Sequence, residues 1–249
     1  MITIKSHKEI DLMRHAGKIV AGAHALVAKM IKPGVTTQEL DQAVEQYIRE
    51  AEAIPTFKGY GGFPNSICAS INEVVVHGIP QKRRLLEGDI ISVDIGATYQ
   101  GYVGDAAVTH GVGTISDEAA RLIAVTRESF YRGIAYAKDG FRLSDISNAI
   151  QTYVEENGFS VVRDYVGHGV GKQMHEDPPI PNYGPKGRGP RLRQGMTLAI
   201  EPMVNAGTYD VMTLKDGWTV VTTDGQLSSH YEHTVLITGT GEPELLTVI

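Results

Sequence analysis

Four acidic residues and one histidine lie in apolar or glycine-bordered stretches of this chain, where an isolated charge is costly to bury. They are Asp94, Asp105, His168, Glu201 and Glu232. Any one of them alone is more often a cap or a solvent-facing side chain. Together they indicate a shared cation site, so a fold for this chain has to bring distant segments to one place.

The first two carboxylates belong to neighbouring predicted strands. Residues 90–96 and 102–106 have the composition of β-strands, and residues 99–100 form the natural two-residue turn between them. In that register Asp94 and Asp105 face each other, with Cβ atoms about 4.5–5.5 Å apart, where like charges repel. Two divalent ions, about 3.5–4 Å apart in hydrolytic sites, would balance the four carboxylates. The pattern therefore predicts a two-metal hydrolytic site.

The first part of the chain reads as two helices followed by strands. Ser6 and Glu9 form a capping box that opens the first helix, which ends at the Lys-Pro-Gly of 32–34. Thr36 opens a second amphipathic helix, and β-rich sequence then runs to about residue 113.

The same order then repeats. A helix is predicted from Ser116 to the Lys-Asp-Gly of 138–140, a second helix is capped by Ser144, and strands follow to the end. Neither half has enough strands for a well-covered sheet, so we expect an α/β (α+β) fold and one catalytic domain over 1–249, with halves of about 1–113 and 114–249. The metal site is expected at their junction.

Composition and charge exclude some classes of function for this chain. The chain is 42% hydrophobic and 21% charged, as in ordinary globular proteins, and its net charge of -6 argues against a protein that coats nucleic acid. Two short segments, 82–84 and 186–193, are locally basic. With Cys68 as the one cysteine and no long apolar run, we expect a soluble cytoplasmic protein.

Three familiar motifs are incomplete. His175 begins like the zinc-protease motif H-E-x-x-H, but Pro179 replaces the second histidine and blocks the helix. The glycines of 111–113 lack the third glycine of a dinucleotide fingerprint, and 167–173 lack the Walker spacing. His175 and His77 remain as histidines without an assigned partner.

Several stretches together resemble the type I methionine aminopeptidases over essentially the whole chain. The similar stretches are 72–80, 167–171, 174–176, 200–203, 215–219 and 231–234, together with Asp94 and Asp105. The resemblance implies a pita-bread fold with halves related by a pseudo-twofold axis. It also implies cytosolic removal of the initiator methionine from new proteins. Without a zinc-finger or proline-rich amino-terminal extension, the chain resembles the short bacterial form.

The resemblance also implies roles for particular residues. The metal ligands would be Asp94, Asp105, His168, Glu201 and Glu232, with Asp105 and Glu232 bridging the ions. Glu201 would take a proton, His175 would stabilise the tetrahedral intermediate, and His77 would contact the amide being cleaved. The methionine pocket would be formed by Tyr60, Phe63, Cys68, Met174 and Trp218, with Phe57 nearby and with His77 and His175 contacting the substrate. Phe63 and Met174 differ from the tyrosine and phenylalanine of some relatives.

Cofactors and partners follow from the same resemblance. Two divalent ions are implied, and a donor set rich in oxygen suits manganese, iron, cobalt or zinc. A monovalent cation (Na⁺ or K⁺) is suggested at Asn72, Val74 and Ser228. The expected partners are amino termini of peptides and nascent proteins, with the ribosome as a further candidate. No DNA or membrane partner is expected. The protein is expected to be a monomer.

Two other readings remain open from the sequence, whereas a creatine-hydrolase-like enzyme would have lost the metal ligands, all five of which are present. A proline-specific peptidase of the same fold would keep the five ligands, but it would carry a large amino-terminal domain. A catalytically silent protein that docks on RNA through its basic loop would not need those ligands. Cleavage of a Met-Ala peptide discriminates among these readings.

Overall fold

The computed structural model describes residues 1–248 and contains four long helices and a large sheet whose strand pairs are antiparallel. The helices are α1 (His7–Met30), α2 (Thr37–Glu50), α3 (Asp117–Ile134) and α4 (Leu143–Glu156). The strands are β1 (Ile54–Pro55), β2 (Ile67–Ile71), β3 (Val74–Val76), β4 (Ile90–Tyr99), β5 (Tyr102–Gly111), β6 (Ser160–Val161), β7 (Gly167–Gly169), β8 (Glu176–Ile180), β9 (Thr197–Ile200), β10 (Met203–Asn205), β11 (Val211–Thr213), β12 (Val220–Thr222), β13 (Ser228–His230), β14 (Glu232–Leu236) and β15 (Glu244–Leu245).

The first two helices begin where the capping boxes predict. The Ser6 amide donates to Glu9 Oε2 at 2.8 Å, and the Thr36 amide donates to Glu39 Oε2 at 2.7 Å. The reciprocal bonds from each glutamate amide to the cap hydroxyl are also present, so orphan donors at each helix start are satisfied. Helix α1 ends at Met30, before Pro33, which lacks the amide hydrogen needed to continue it.

The boundaries of α3 and α4 differ from prediction. Helix α3 ends at Ile134, because the following amides turn back to carbonyls three residues earlier, as in the bond from Ala137 to Ile134 at 2.9 Å. Helix α4 is capped by Arg142 and not by Ser144, since the Asp145 carboxylate accepts the Arg142 amide at 2.9 Å. The Ser144 hydroxyl instead exchanges hydrogen bonds with the backbone of Arg188.

The main sheet has the strand order β1-β4-β5-β14-β9-β7-β8, with β2 paired to β4 and β15 paired to β14. Its centre is the antiparallel pair of β5, from the first half of the chain, with β14, from the second half. Two smaller sheets have the orders β13-β10-β6 and β11-β12-β3. Helices α1 and α2 cover strands of the first half, and α3 and α4 pack against the second.

The predicted register of the β4–β5 hairpin is wrong. The turn consists of Gln100 and Gly101, with φ of 46° and 83°, rather than residues 99–100. A tight hairpin needs positive φ at its central residues, which Gly101 adopts without strain. Asp94 therefore pairs with Ala107, and Asp105 pairs with Gly96 two positions along, so the carboxylates are diagonal neighbours on one face and not direct partners.

The two faces of the β4–β5 hairpin contact different parts of the protein, because side chains alternate along each strand. Ile91, Val93 and Ile95 are fully buried in the cluster formed with α1 and α2. Because successive side chains of a strand point to opposite faces, Asp94 lies on the face away from those helices. Within residues 1–248 no helix has the length and apolar character required to cross a membrane.

Candidate metal centre and adjoining pocket

The five predicted ligands come from five adjacent strands of the main sheet. Asp94 lies on β4, Asp105 on β5, Glu232 on β14 and His168 on β7, while Glu201 directly follows β9. The strand order, which reverses the sequence order in the second half, brings them to one cavity. A sheet of this topology thus places the β4–β5 hairpin beside three strands that come much later in the chain.

The ligand atoms are close enough to share cations. His168 Nε2 lies 3.5 Å from Glu201 Oε1 and 3.7 Å from Asp105 Oδ2. One ligand atom from each of Asp105, His168 and Glu232 falls within 4.8 Å of the others. These separations fit ligands around an ion bound at about 2.0–2.2 Å from each.

The cluster lacks the partners that buried carboxylates need. Asp105 and Glu232 are each 1% exposed. Within residues 1–248, Asp94 Oδ1, Asp105 Oδ1 and Glu232 Oε1 are buried without a hydrogen-bond partner. Since buried charges are paired or coordinate metals, these oxygens fit divalent cations.

The same crowding disturbs the protonation of the acids. Burial, reinforced by the Glu201 charge, raises the pKa of Asp105 to about 8. Burial also raises the pKa of Glu201 to about 8. The pKa values of Asp94 and Glu232 are raised well above their ordinary range by burial and then by neighbouring carboxylates. Divalent cations would remove the cause of these shifts by compensating the negative charges.

His168 has the tautomer that a metal ligand requires. Its Nδ1 lies 2.9 Å from the Gly169 carbonyl oxygen, so Nδ1–H donates there and Nε2 keeps a lone pair directed at the carboxylates. Burial, followed by the nearby His175, lowers the pKa of His168 to about 4. A neutral imidazole is therefore present at neutral pH.

His230 is a residue of the site that the sequence reasoning missed. It is 2% exposed, and its Nε2 lies 3.5 Å from Glu201 Oε2 and 3.9 Å from Glu232 Oε2. Its backbone is held by Thr109, whose hydroxyl accepts the His230 amide at 3.0 Å and donates to the His230 carbonyl at 2.8 Å. The available signal was its position two residues before Glu232, on the same side of an extended chain.

The acids form one wall of a cavity of about 130 Å³. The rest of the wall contains every residue predicted to contact the substrate, and also Phe57. These residues are Tyr60, Phe63, Cys68, His77, Met174, His175 and Trp218. The structure thus brings together the predicted ligands and the predicted pocket, while their individual roles stay predictions.

The pocket is apolar in its depth and polar at its mouth. Phe63, Cys68 and Met174 are buried, and the Phe63 ring meets Trp218 edge to face at 5.2 Å between centroids. Tyr60 is 44% exposed, and its hydroxyl lies 2.7 Å from His175 Nδ1. A side chain that enters would be surrounded by aromatic rings and sulfur.

His77 has an unusual backbone that directs it into the cavity. Its φ is 58°, a left-handed conformation that residues other than glycine adopt at a cost. Gly78 follows because a Cβ there would lie 2.3 Å from the Ala69 carbonyl oxygen. The His77 ring packs edge to face with Tyr165 and Trp218, and burial, followed by His230 and His175, lowers its pKa to about 4.

The residues predicted to bind a monovalent cation are also neighbours. The Ser228 amide donates to the Asn72 carbonyl at 2.9 Å, and Asn72 has a φ of 55°. Val74 begins β3, two residues after Asn72. The cation itself stays a prediction.

Comparison with known proteins agrees with this geometry. The sequence profile of metallopeptidase family M24 matches residues 11–239. The methionine aminopeptidase of Clostridium acetobutylicum is 61% identical over 249 residues, with 100% of this chain and 99% of the relative covered. The crystal structure of methionine aminopeptidase from Thermotoga maritima is 51% identical, has a TM-score of 0.98, and is matched over 100% of both chains.

A more distant similarity shows how far the fold extends. Prolidase from Pyrococcus furiosus is 23% identical with a TM-score of 0.75, and the match covers 99% of this chain and 65% of prolidase. That similarity concerns the pita-bread fold alone. The full-length matches at high identity decide the assignment: this chain belongs to metallopeptidase family M24 and, within it, to the methionine aminopeptidases.

Proposed function

We propose that the acidic cluster and the adjoining pocket together remove the amino-terminal methionine from polypeptides whose second residue is small. Hydrolysis of this bond is the reaction of the family to which the chain belongs. The observation that supports this assignment of the site is the convergence of five potential ligands from five strands on a cavity lined by aromatic rings and sulfur.

The donor set supports two divalent ions, which would be held by Asp94, Asp105, His168, Glu201 and Glu232. Such ions, when bound, supply a hydroxide near neutral pH and polarise the scissile carbonyl. Manganese, iron, cobalt and zinc all accept this combination of oxygen ligands and one imidazole.

Glu201 would take up the proton that is lost as the nucleophile attacks. Its carboxylate lies in the cluster with one oxygen near His168 and the other near His230. With ions bound this carboxylate would be ionised, so it could accept a proton and return it to the leaving amine.

The two histidines at the cavity would act on the peptide itself. His175 would donate a hydrogen bond to the oxyanion as charge develops on the carbonyl oxygen. Its Nδ1 is occupied by Tyr60, so Nε2 is the atom free to face the substrate. His77, neutral near pH 7, would contact the amide of the bond being cleaved.

The shape of the pocket supports methionine at the first position. An unbranched thioether can fill a narrow apolar cavity and make sulfur contacts with the edges of Phe63 and Trp218. The second residue of the substrate would lie near His77 and His175, where a large side chain would keep the amide from the cluster.

The proposal is tested on purified protein depleted of metal. Release of methionine from a Met-Ala peptide should be lost and then restored as each divalent ion is added back. Binding of the ions, measured by calorimetry, should fall sharply for Asp105→Asn, because that variant removes one of the four carboxylates of the cluster. Full activity with metal shown to be absent contradicts the proposed chemistry.

We also propose that the enzyme works in the cytoplasm close to emerging chains, with the basic segment 186–193 docking on RNA. The supporting observation is that its four cationic residues are exposed in an otherwise acidic protein. They are Lys186, Arg188, Arg191 and Arg193. Direct measurement of binding to RNA tests this docking.

A further inference from the structure

The loop between β7 and β8 carries two residues of the pocket, Met174 and His175. One side of His175 is held by the Tyr60 hydroxyl, and its ring lies 4.4 Å from that of His168. The next residue, Glu176, begins β8 and points to a different partner. What holds Glu176 therefore also fixes the backbone of His175.

Glu176 is held by a buried ion pair with the amino-terminal segment. Lys5 Nζ lies 2.6 Å from Glu176 Oε2, and the two side chains are 6% and 11% exposed. Thr3 Oγ1 donates to the same oxygen at 2.7 Å, and the Gln173 amide donates to Oε1 at 3.2 Å. Although burial acts in the opposite direction, these partners lower the pKa of Glu176 below its usual value.

The ion pair packs directly against the loop backbone. A Cβ at Gly171 would lie 2.5 Å from Lys5 Cε and 2.6 Å from Glu176 Oε1, so only glycine allows this contact. The Gly171 carbonyl accepts the Val103 amide of β5 at 2.9 Å, and the Lys5 amide donates to the Gly195 carbonyl at 2.8 Å. The pair thus connects the loop to the main sheet and to the segment before β9.

We propose that Lys5 and Glu176 are positioning residues that hold His175 beside His168 and the acidic cluster and contribute to catalysis through His175. This inference rests on the proposed role of His175 in stabilising the oxyanion. Neither residue lines the cavity, so neither is expected to touch substrate or ion.

The test measures Lys5→Met and Glu176→Gln, each alone and combined with His175→Ala. In the otherwise unchanged enzyme each should lower kcat on a Met-Ala peptide about ten- to a hundredfold, because small misplacements of catalytic groups have effects of this size. KM and the calorimetric affinity for Mn²⁺ should change less than about threefold, since the ligands and pocket stay in place. In the His175→Ala background neither substitution should lower kcat further.

The matched control is Lys172→Met, which removes an exposed lysine of the same loop that packs over Tyr102. It should leave kcat unchanged. Lys5→Arg and Glu176→Asp keep both charges but alter the reach of the pair, and they replace the neutral variants if those do not fold. The same dependence on His175 is expected of them.

The outcomes separate this inference from the function on which it rests. Normal kcat in His175→Ala removes the oxyanion role and, with it, the basis of the inference. A large loss in His175→Ala with unchanged kcat in the Lys5 and Glu176 variants overturns the positioning role alone. If the kcat loss of the double variant equals the product of the losses of the two single variants, the substitutions act independently of His175. That result, or a fall in Mn²⁺ affinity as large as the fall in kcat, shows a general structural effect and also overturns the positioning role.

Discussion

In the absence of metal ions, the protein should become less stable as the pH rises from about 7 to 8. Burial raises the pKa of Asp105 and of Glu201 to about 8 in the cluster without ions. Unfolded carboxyl groups titrate near about 4. The folded state therefore carries protons that the unfolded state has already lost, and under this condition the free energy of unfolding falls with pH.

The size of the effect follows from the pKa values. A group with a folded-state pKa of about 8 loses about 1 kcal/mol of stability between pH 7 and 8, so Asp105 and Glu201 together give about 2 kcal/mol. The raised pKa values of Asp94 and Glu232 add to this loss in the same direction. Buried histidines do not obscure this loss. The lowered pKa of His77 or His168 affects stability below about pH 6.5, where the unfolded imidazole is charged, and its sign is opposite.

Urea unfolding in excess chelator, at several pH values between about 7 and 8, measures the loss. The metal-loaded protein should not show it, because bound ions keep the carboxylates deprotonated. The variant Asp105→Asn with Glu201→Gln, also without metal, should have a smaller slope because it removes two of the four titrating carboxyl groups, and it serves as the control. A stability of the chelated wild-type protein that is constant or increases over this interval would refute the reasoning.

Three further predictions concern the proposed base, the methionine pocket and the basic segment 186–193. Glu201→Gln should fold and lose about 10²–10⁴-fold in kcat, because an amide cannot accept the proton, and near-normal kcat removes Glu201 from the base role. Peptides that begin with norleucine should be cleaved within about tenfold of methionine, since sulfur contacts are worth only about 0.3–1.5 kcal/mol. Leucine, branched too early for the narrow pocket, should be much poorer; efficient cleavage of Leu-Ala contradicts the pocket assignment. Replacing the four basic residues of 186–193 with alanine should weaken ribosome co-sedimentation in a salt-sensitive manner and leave peptide cleavage unchanged, whereas undiminished co-sedimentation excludes docking there.

The sequence was sufficient for the helices of the first half because their signals are local. The capping boxes at Ser6 and Thr36 lie at the observed starts of α1 and α2. The β4–β5 hairpin shows the limit of such signals. Its composition predicts two strands, but the register depends on which residue takes positive φ, and Gly101 moved the pairing of Asp94 by two positions. Because the shift is an even number of residues, both side chains stay on the same face of the sheet. Both carboxylates therefore still reach the cavity.

His230 and Lys5 were harder to predict because their importance comes from partners distant in the sequence. His230 meets Glu201 through the pairing of β13 with β10, in which His230 is opposite Met203, and Lys5 meets Glu176, which lies 171 residues later in the chain. Beyond the spacing of His230 from Glu232, the sequence around either residue does not indicate that its side chain is buried.

The arrangement of the ligands links the two halves of the chain. Asp105 lies on β5 and Glu232 on β14, and these adjacent strands form the pair at the centre of the sheet. Each strand brings one of the four carboxylates of the cluster, and the crowding of these carboxylates is unfavourable until cations compensate it. The pairing of β5 with β14 and the packing of the core must therefore hold the halves together before any ion binds. The core therefore holds the carboxylates in unfavourable proximity, and the repulsion that is relieved when the ions bind contributes to the affinity for the metals.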